Sequence, residues 1–159
     1  MKLLYSSLAL FTLSLISPLI AEESGKQSLT FFQYPNRFDS SRPLTPNSEI
    51  LLQFSEAVAP NAIPRHFQLY DKTNDRFAAI LAKAPTEKEI RDLKRYTGEL
   101  PPLDTFVLIE PSVALPLGGS WYLNARAGMK SLAGSHEIIE GKLNYVVNLL
   151  AFVIDKVDT

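Results

Sequence analysis

A lysine–serine pair, Lys130 and Ser131, stands between Gly128 and Gly134, and these are the residue types a phosphate-cradling loop places on a nucleotide. That chemistry also needs a fixed spacing. The loop requires glycine directly before the lysine, a second glycine five residues earlier, and a helix directly after. Here Met129 precedes Lys130, and the following SLAGSHE carries no helix start. The segment is therefore expected to be a turn leaving a strand, with Gly128 and Gly134 supplying the positive φ that turns require.

The other reactive residue types are sparse. The two histidines, His66 and His136, have no histidine or cysteine neighbours, so a metal centre is not expected. Ser135, His66 and Asp104 have the types of a nucleophile relay, yet no G-x-S-x-G elbow presents a serine, and such triples occur in any chain of this size. DKTND, residues 71–75, offers oxygens to a calcium ion. It lacks the glycine and the remaining ligands of an EF-hand loop, so a plain β-turn is expected. No catalytic, cofactor-binding or metal-ligating residue is assigned, no cofactor is expected, and the chain does not read as an enzyme.

Residues 1–21 have the layout of a secretory leader: a positive start at Lys2, an apolar run, Pro18, and the small residue Ala21 at the cleavage point. Serines and a proline interrupt the run, which falls short of the roughly 20 apolar residues that a spanning helix needs. The mature chain is expected to start at Glu22, to be exported to periplasm, envelope or medium, and to have no membrane span. With no cysteine anywhere, it must be held by its apolar core alone. The 16 Lys and Arg, one of them Lys2, face 17 Asp and Glu, so the mature balance is −2. Arg91, Lys94 and Arg95 are interleaved with Glu87, Glu89 and Asp92, which argues against nucleic acid or an anionic membrane as partner.

The elements that would position any site read mostly as strands. Residues 22–28 look like a flexible lead-in, 29–34 like a strand, and 35–48 like a loop rich in turn residues. EILLQFSEAV alternates, with Ile50, Leu52 and Phe54 on one face and Leu51 and Gln53 on the other. HFQLYD places Phe67, Leu69 and Asp71 together, and a short apolar run at 77–81 follows the turn. PTEKEIRDLKRYTG breaks the pattern: Thr86 and Glu89 form a capping box, Ile90 and Leu93 a narrow apolar stripe, and Gly98 a stop. A short helix covering one end of a sheet is expected there. TFVLIEP is apolar enough to be buried on both faces, and SWYLNARAG alternates Trp121, Leu123 and Ala125 against Tyr122 and Asn124. YVVNLLAFVI, residues 145–154, is apolar on both faces. It is either an internal strand or the start of a following domain, and as an open edge it would self-associate. Lysines at Val147 and Leu149 would then be expected to relieve the association.

Short strands between Pro/Gly-rich turns favour an all-β sandwich. Phe54, Ser55, Glu56 and Val58, followed by Leu117, Gly118, Tyr122, Ala127, Gly128 and Gly134, resemble the bacterial immunoglobulin-like domain of S-layer proteins. Ser131 and Ser135 stand where that pattern usually has Asp and Asn. The resemblance implies an immunoglobulin-like β-sandwich of about seven strands with one short inserted helix. It divides the chain into a leader (1–21), a lead-in strand and loop (22–48), the sandwich (49–142), and a final strand or start of a following domain (143–159). The Phe-x-Tyr-Pro opening, the FSE strand and the charged helix before LPPL also resemble the N-terminal region of bacterial α2-macroglobulin-like proteins. What these resemblances imply is a non-catalytic module for protein–protein or domain–domain contact, within such an inhibitor or, alternatively, in the cell envelope as an adhesion module.

Overall fold

The structure is a computed structural model that describes residues 27–34, 45–94, 98–139 and 142–149, the last of these by backbone course and pairing. The expected leader with its cleavage point after Ala21, the loop at 35–44 and the apolar residues 150–154 lie outside the described residues. Ten strands appear among the described residues: β1 (Gln27–Ser28), β2 (Phe31–Tyr34), β3 (Ile50–Phe54), β4 (Phe67–Asp71), β5 (Arg76–Ala78), β6 (Ile80–Lys83), β7 (Phe106–Pro111), β8 (Gly119–Ala125), β9 (His136–Glu137) and β10 (Lys142–Leu149). Two short α-helices, α1 (Ile63–His66) and α2 (Glu87–Lys94), join them, so the described chain is all-β in character.

Eight strands form two four-stranded antiparallel sheets, in the orders β2-β3-β7-β6 and β10-β8-β4-β5. Strict alternation gives β4 and β8 an inward face. Phe67, Leu69 and Asp71 of β4 are buried while Gln68 and Tyr70 are not, and β8 alternates in the same way from Gly119 to Ala125. Leu52, Phe54, Val107 and Ile109 from one sheet share a core with Phe67, Leu69, Trp121 and Leu123 from the other. The Phe31, Phe54 and Phe67 rings meet at 5.2–6.0 Å between centroids, joining β2 and β3 to β4. Burying each such side chain contributes roughly 1.5–3 kcal/mol.

β7 is buried on both faces, as its unbroken apolar run requires. Val107 and Ile109 enter the shared core, whereas Phe106 and Leu108 join Leu51 and Ile90 in a second cluster under α2. The helix is therefore a cover on the outer face of the β2-β3-β7-β6 sheet. Its capping box is closed: the Thr86 amide donates to Glu89 Oε2 at 2.7 Å, and the Glu89 amide donates to Thr86 Oγ1 at 3.3 Å. Arg91 bonds Glu87 at 2.7 Å and the Gly98 carbonyl at 2.9 Å.

Three boundaries differ from the sequence reading. Gln27 and Ser28 of the expected flexible lead-in pair in parallel with His136 and Glu137. The single run at 77–81 is two strands in different sheets, with Ala79 at the crossing. His66 closes α1 instead of opening β4, because Pro60 and Pro64 start helical turns just before it.

Candidate functional site

The Lys130–Ser131 segment is a turn. Gly128 and Gly134 have φ of +96° and +73°, the left-handed region where a side chain is strained. The Lys130 backbone forms an isolated antiparallel β-bridge with that of Glu137, the Ser131 amide donates to the His136 carbonyl at 2.9 Å, and no helix follows. A phosphate cradle needs amides pointing into open space, but the Ser131 and Gly134 amides are both bonded within the turn.

The residues suggested for a nucleophile relay are arranged differently. Ser135 Oγ lies 3.1 Å from His136 Nδ1 and 3.4 Å from Glu56 Oε2, while Glu56 Oε1 is 3.4 Å from the same Nδ1. A relay uses one imidazole nitrogen on the hydroxyl and the other on the carboxylate. Here both partners share Nδ1, so proton transfer through the ring has no path. The cluster ties the loop before β9 to the end of β3, reinforced by the Leu132 amide on the Ala57 carbonyl at 2.8 Å. Sequence reading missed Glu56 and His136 as partners, since nothing local links positions so far apart.

Asp71 holds the strongest polar cluster. It is fully buried, yet its two oxygens accept from the amides of Thr73 (3.0 Å), Asn74 (3.4 Å) and Ser120 (3.2 Å). Asn74 Nδ2 donates at 2.8 Å, and Arg76 Nε and Nη2 donate at 3.2 and 2.7 Å. Burial alone pushes this carboxyl upward, but the bonds from Asn74, Arg76 and the Thr73 and Asn74 amides outweigh it and hold it at about 2. Every acceptor direction is taken by an N–H, so a calcium ion would have to displace the Arg76 guanidinium. This carboxylate organises the β4–β5 turn and pins it to the start of β8. Arg76 also lies over the Trp121 ring, 5.9 Å from its centroid.

The solvent-facing side of the β10-β8-β4-β5 sheet is the remaining surface with a distinct chemistry. Phe77, Tyr70, Tyr122 and Tyr145 are direct register partners across all four strands. The Phe77 and Tyr70 rings stack at 4.8 Å, and Phe77 is 60% exposed. Gln68, Ser120 and Asn124 share this face, so no position pointing outward from β4 or β8 is charged. Just past β8, Arg126 donates to Gln68 Oε1 at 3.0 Å. Tyr70 donates to Asp75 at 3.2 Å, and burial together with the two nearby carboxylates raises its phenol above the ordinary value. Alternation placed Tyr70 and Tyr122 outward, but only the register aligns them.

Among the described residues, no helix is long and apolar enough to cross a membrane, and no three His, Cys, Asp or Glu side chains are placed to hold a metal ion. No protein-family model and no curated protein matches the chain.

Proposed function

We propose that the chain is an exported, non-catalytic immunoglobulin-like module that makes protein–protein or domain–domain contacts. The observation that carries this reading is the strand order. Immunoglobulin-type sandwiches pair A-B-E-D in one sheet and G-F-C, extended by C′, in the other. Lettering β2, β3, β4, β5, β6, β7, β8 and β10 in chain order as A, B, C, C′, D, E, F and G reproduces both orders. The uncharged aromatic face supports the contact role, because interface cores are depleted in charge and enriched in Tyr and Phe. The leader-like residues 1–21 support export.

Within that reading, the Phe-x-Tyr-Pro opening and the charged helix before LPPL favour an α2-macroglobulin-like inhibitor as the setting. The alternative is a cell-envelope or adhesion module of the S-layer type, favoured by the FSE strand and the Leu117–Gly118 turn. The test is the native size of the exported protein on gel filtration, compared with its Phe77→Ser and Tyr70→Ser forms. A contact module runs in a complex that these changes, at exposed Phe77 and half-buried Tyr70, break while the fold persists. A complex that neither change alters would reject this face as the contact.

A further inference from the structure

We infer that the protein partner on the β10-β8-β4-β5 face presents an arginine, whose guanidinium bonds the Asp75 carboxylate and lies against the Phe77–Tyr70 ring pair. This inference rests on the contact-module reading and specifies the partner's chemistry at one corner of that face. The Tyr70 side chain touches both groups. Its hydroxyl donates to Asp75 Oδ1 at 3.2 Å, and its ring stacks on that of Phe77 at 4.8 Å between centroids. Carboxylate and exposed ring therefore flank one phenol. Among the described residues, Asp75 Oδ2 accepts no hydrogen bond and Asp75 enters no ion pair. Phe77 is 60% exposed on β5, the outermost strand, so the ring face turned away from Tyr70 meets no further strand of the described sheet.

The charges at this corner fix the sign of the partner's. Those acting on the Tyr70 phenol are Asp75 and Asp71, both negative. Asp71 is already answered: it is buried and bonded by Arg76, whose guanidinium lies over the buried Trp121. Lys72, exposed on the same turn, forms no ion pair with Asp75. Arg126, at the far end of the face, is bonded to Gln68. Asp75 is thus an uncompensated charge beside uncharged aromatics, and an interface that covers it needs a cation opposite. A guanidinium suits both neighbours, since it bonds a carboxylate in its plane and stacks on rings with its faces, which a compact, strongly hydrated ammonium does less well. The backbone points the same way. Among the described residues, Asp75 is the one non-glycine with positive φ, +49°. A glycine would hold this turn without strain, so the fold itself does not require a carboxylate here.

Two substitutions separate charge from structure. Asp75→Asn keeps an oxygen for Tyr70 and tolerates positive φ, but removes the charge. Asp75→Gly relieves the backbone and should keep or raise the urea midpoint. Both should weaken the native complex about tenfold at low salt, and the parent complex should lose affinity with rising salt more steeply than either variant. The second arm needs no native complex. Nα-acetyl-arginine amide is titrated into the full exported chain and followed by the backbone amide resonances of Asp75 and Phe77. Nα-acetyl-citrulline amide, similar in shape but uncharged, and Nα-acetyl-lysine amide serve as controls. Arginine amide is expected to shift both resonances, the controls to shift them far less, and Asp75→Asn to abolish the response. The inference is overturned if arginine amide gives no shift, if either control matches it, or if Asp75→Asn responds like the parent. A complex broken by Phe77→Ser but indifferent to Asp75→Asn also overturns it, while leaving the contact-module reading standing. Failure of that reading is seen separately, on gel filtration.

Discussion

Gly119→Ala is expected to be among the most damaging small changes in the protein, and the reason lies on another strand. A Cβ at Gly119 would sit 2.6 Å from Asp71 Oδ2 and 2.8 Å from Asp71 Cγ. An ordinary side chain would swing aside. Asp71 cannot, because moving its carboxylate breaks the bonds to Thr73, Ser120, Asn74 and Arg76 together. Overpacking costs about 1–3 kcal/mol, and each lost bond about 0.5–1.5 kcal/mol, so about 3 kcal/mol is expected. Asp71→Ala leaves the amides of Thr73 and Ser120 without their acceptor, at about 1–3 kcal/mol, whereas the freed Arg76 side chain is 41% exposed and is solvated. The two changes should not add. Once the carboxylate is gone the new methyl has room, so the double variant should be about 1–2 kcal/mol more stable than the sum of the singles implies. Urea unfolding of the four proteins measures this directly. Additivity within about 0.5 kcal/mol would mean that Asp71 does not press on Gly119, and the account of this turn would be wrong.

Three further expectations rest on the fold, and a fourth rests on the sequence of residues 1–21. Asp71 has its ordinary value at 3.8 and is held at about 2 in the fold, so its stabilisation is fully present above 3.8 and is lost as pH falls through about 2. Asp71→Asn should flatten that part of an acid-unfolding curve, and an unchanged curve would refute the assignment. Ile90→Ala should cost about 2–4 kcal/mol in urea unfolding, because Ile90 is the fully buried anchor of α2, while Thr86→Ala should cost about 1 kcal/mol through the capping box. Gly128→Val and Gly134→Val should each cost about 1–3 kcal/mol through their positive φ, against less than about 0.5 kcal/mol for exposed Lys130→Ala. N-terminal sequencing of exported protein is expected to begin at Glu22, and an intact Met1 would refute the leader.

Local patterns carried the reading a long way where a single residue period decides the structure. Alternation in EILLQF and SWYLNA gave the inward faces of β3 and β8, and TFVLIEP gave a doubly buried strand, because burial on one or both faces is written in the chain itself. Thr86 and Glu89 gave the helix start for the same reason. What depends on distant partners was not legible. The split of 77–81 between two sheets follows from which strand each half meets, β4 for one and β7 for the other. Asp71 was placed inward by its period, but its engagement by Ser120 is a fact of packing. The aromatic row likewise needs register across β5, β4, β8 and β10, which no local period fixes.

The central claim, that the solvent face of the β10-β8-β4-β5 sheet is a protein contact, is tested most directly by photo-cross-linking in the producing cells. A photoreactive residue is placed at Phe77, at Asn124 and, as a control on the far side of the other sheet, at Lys88 of α2. Discrete protein adducts from positions 77 and 124, and none from 88, are the expected result. Adducts from 88 alone, or none from 77 and 124, would contradict the account.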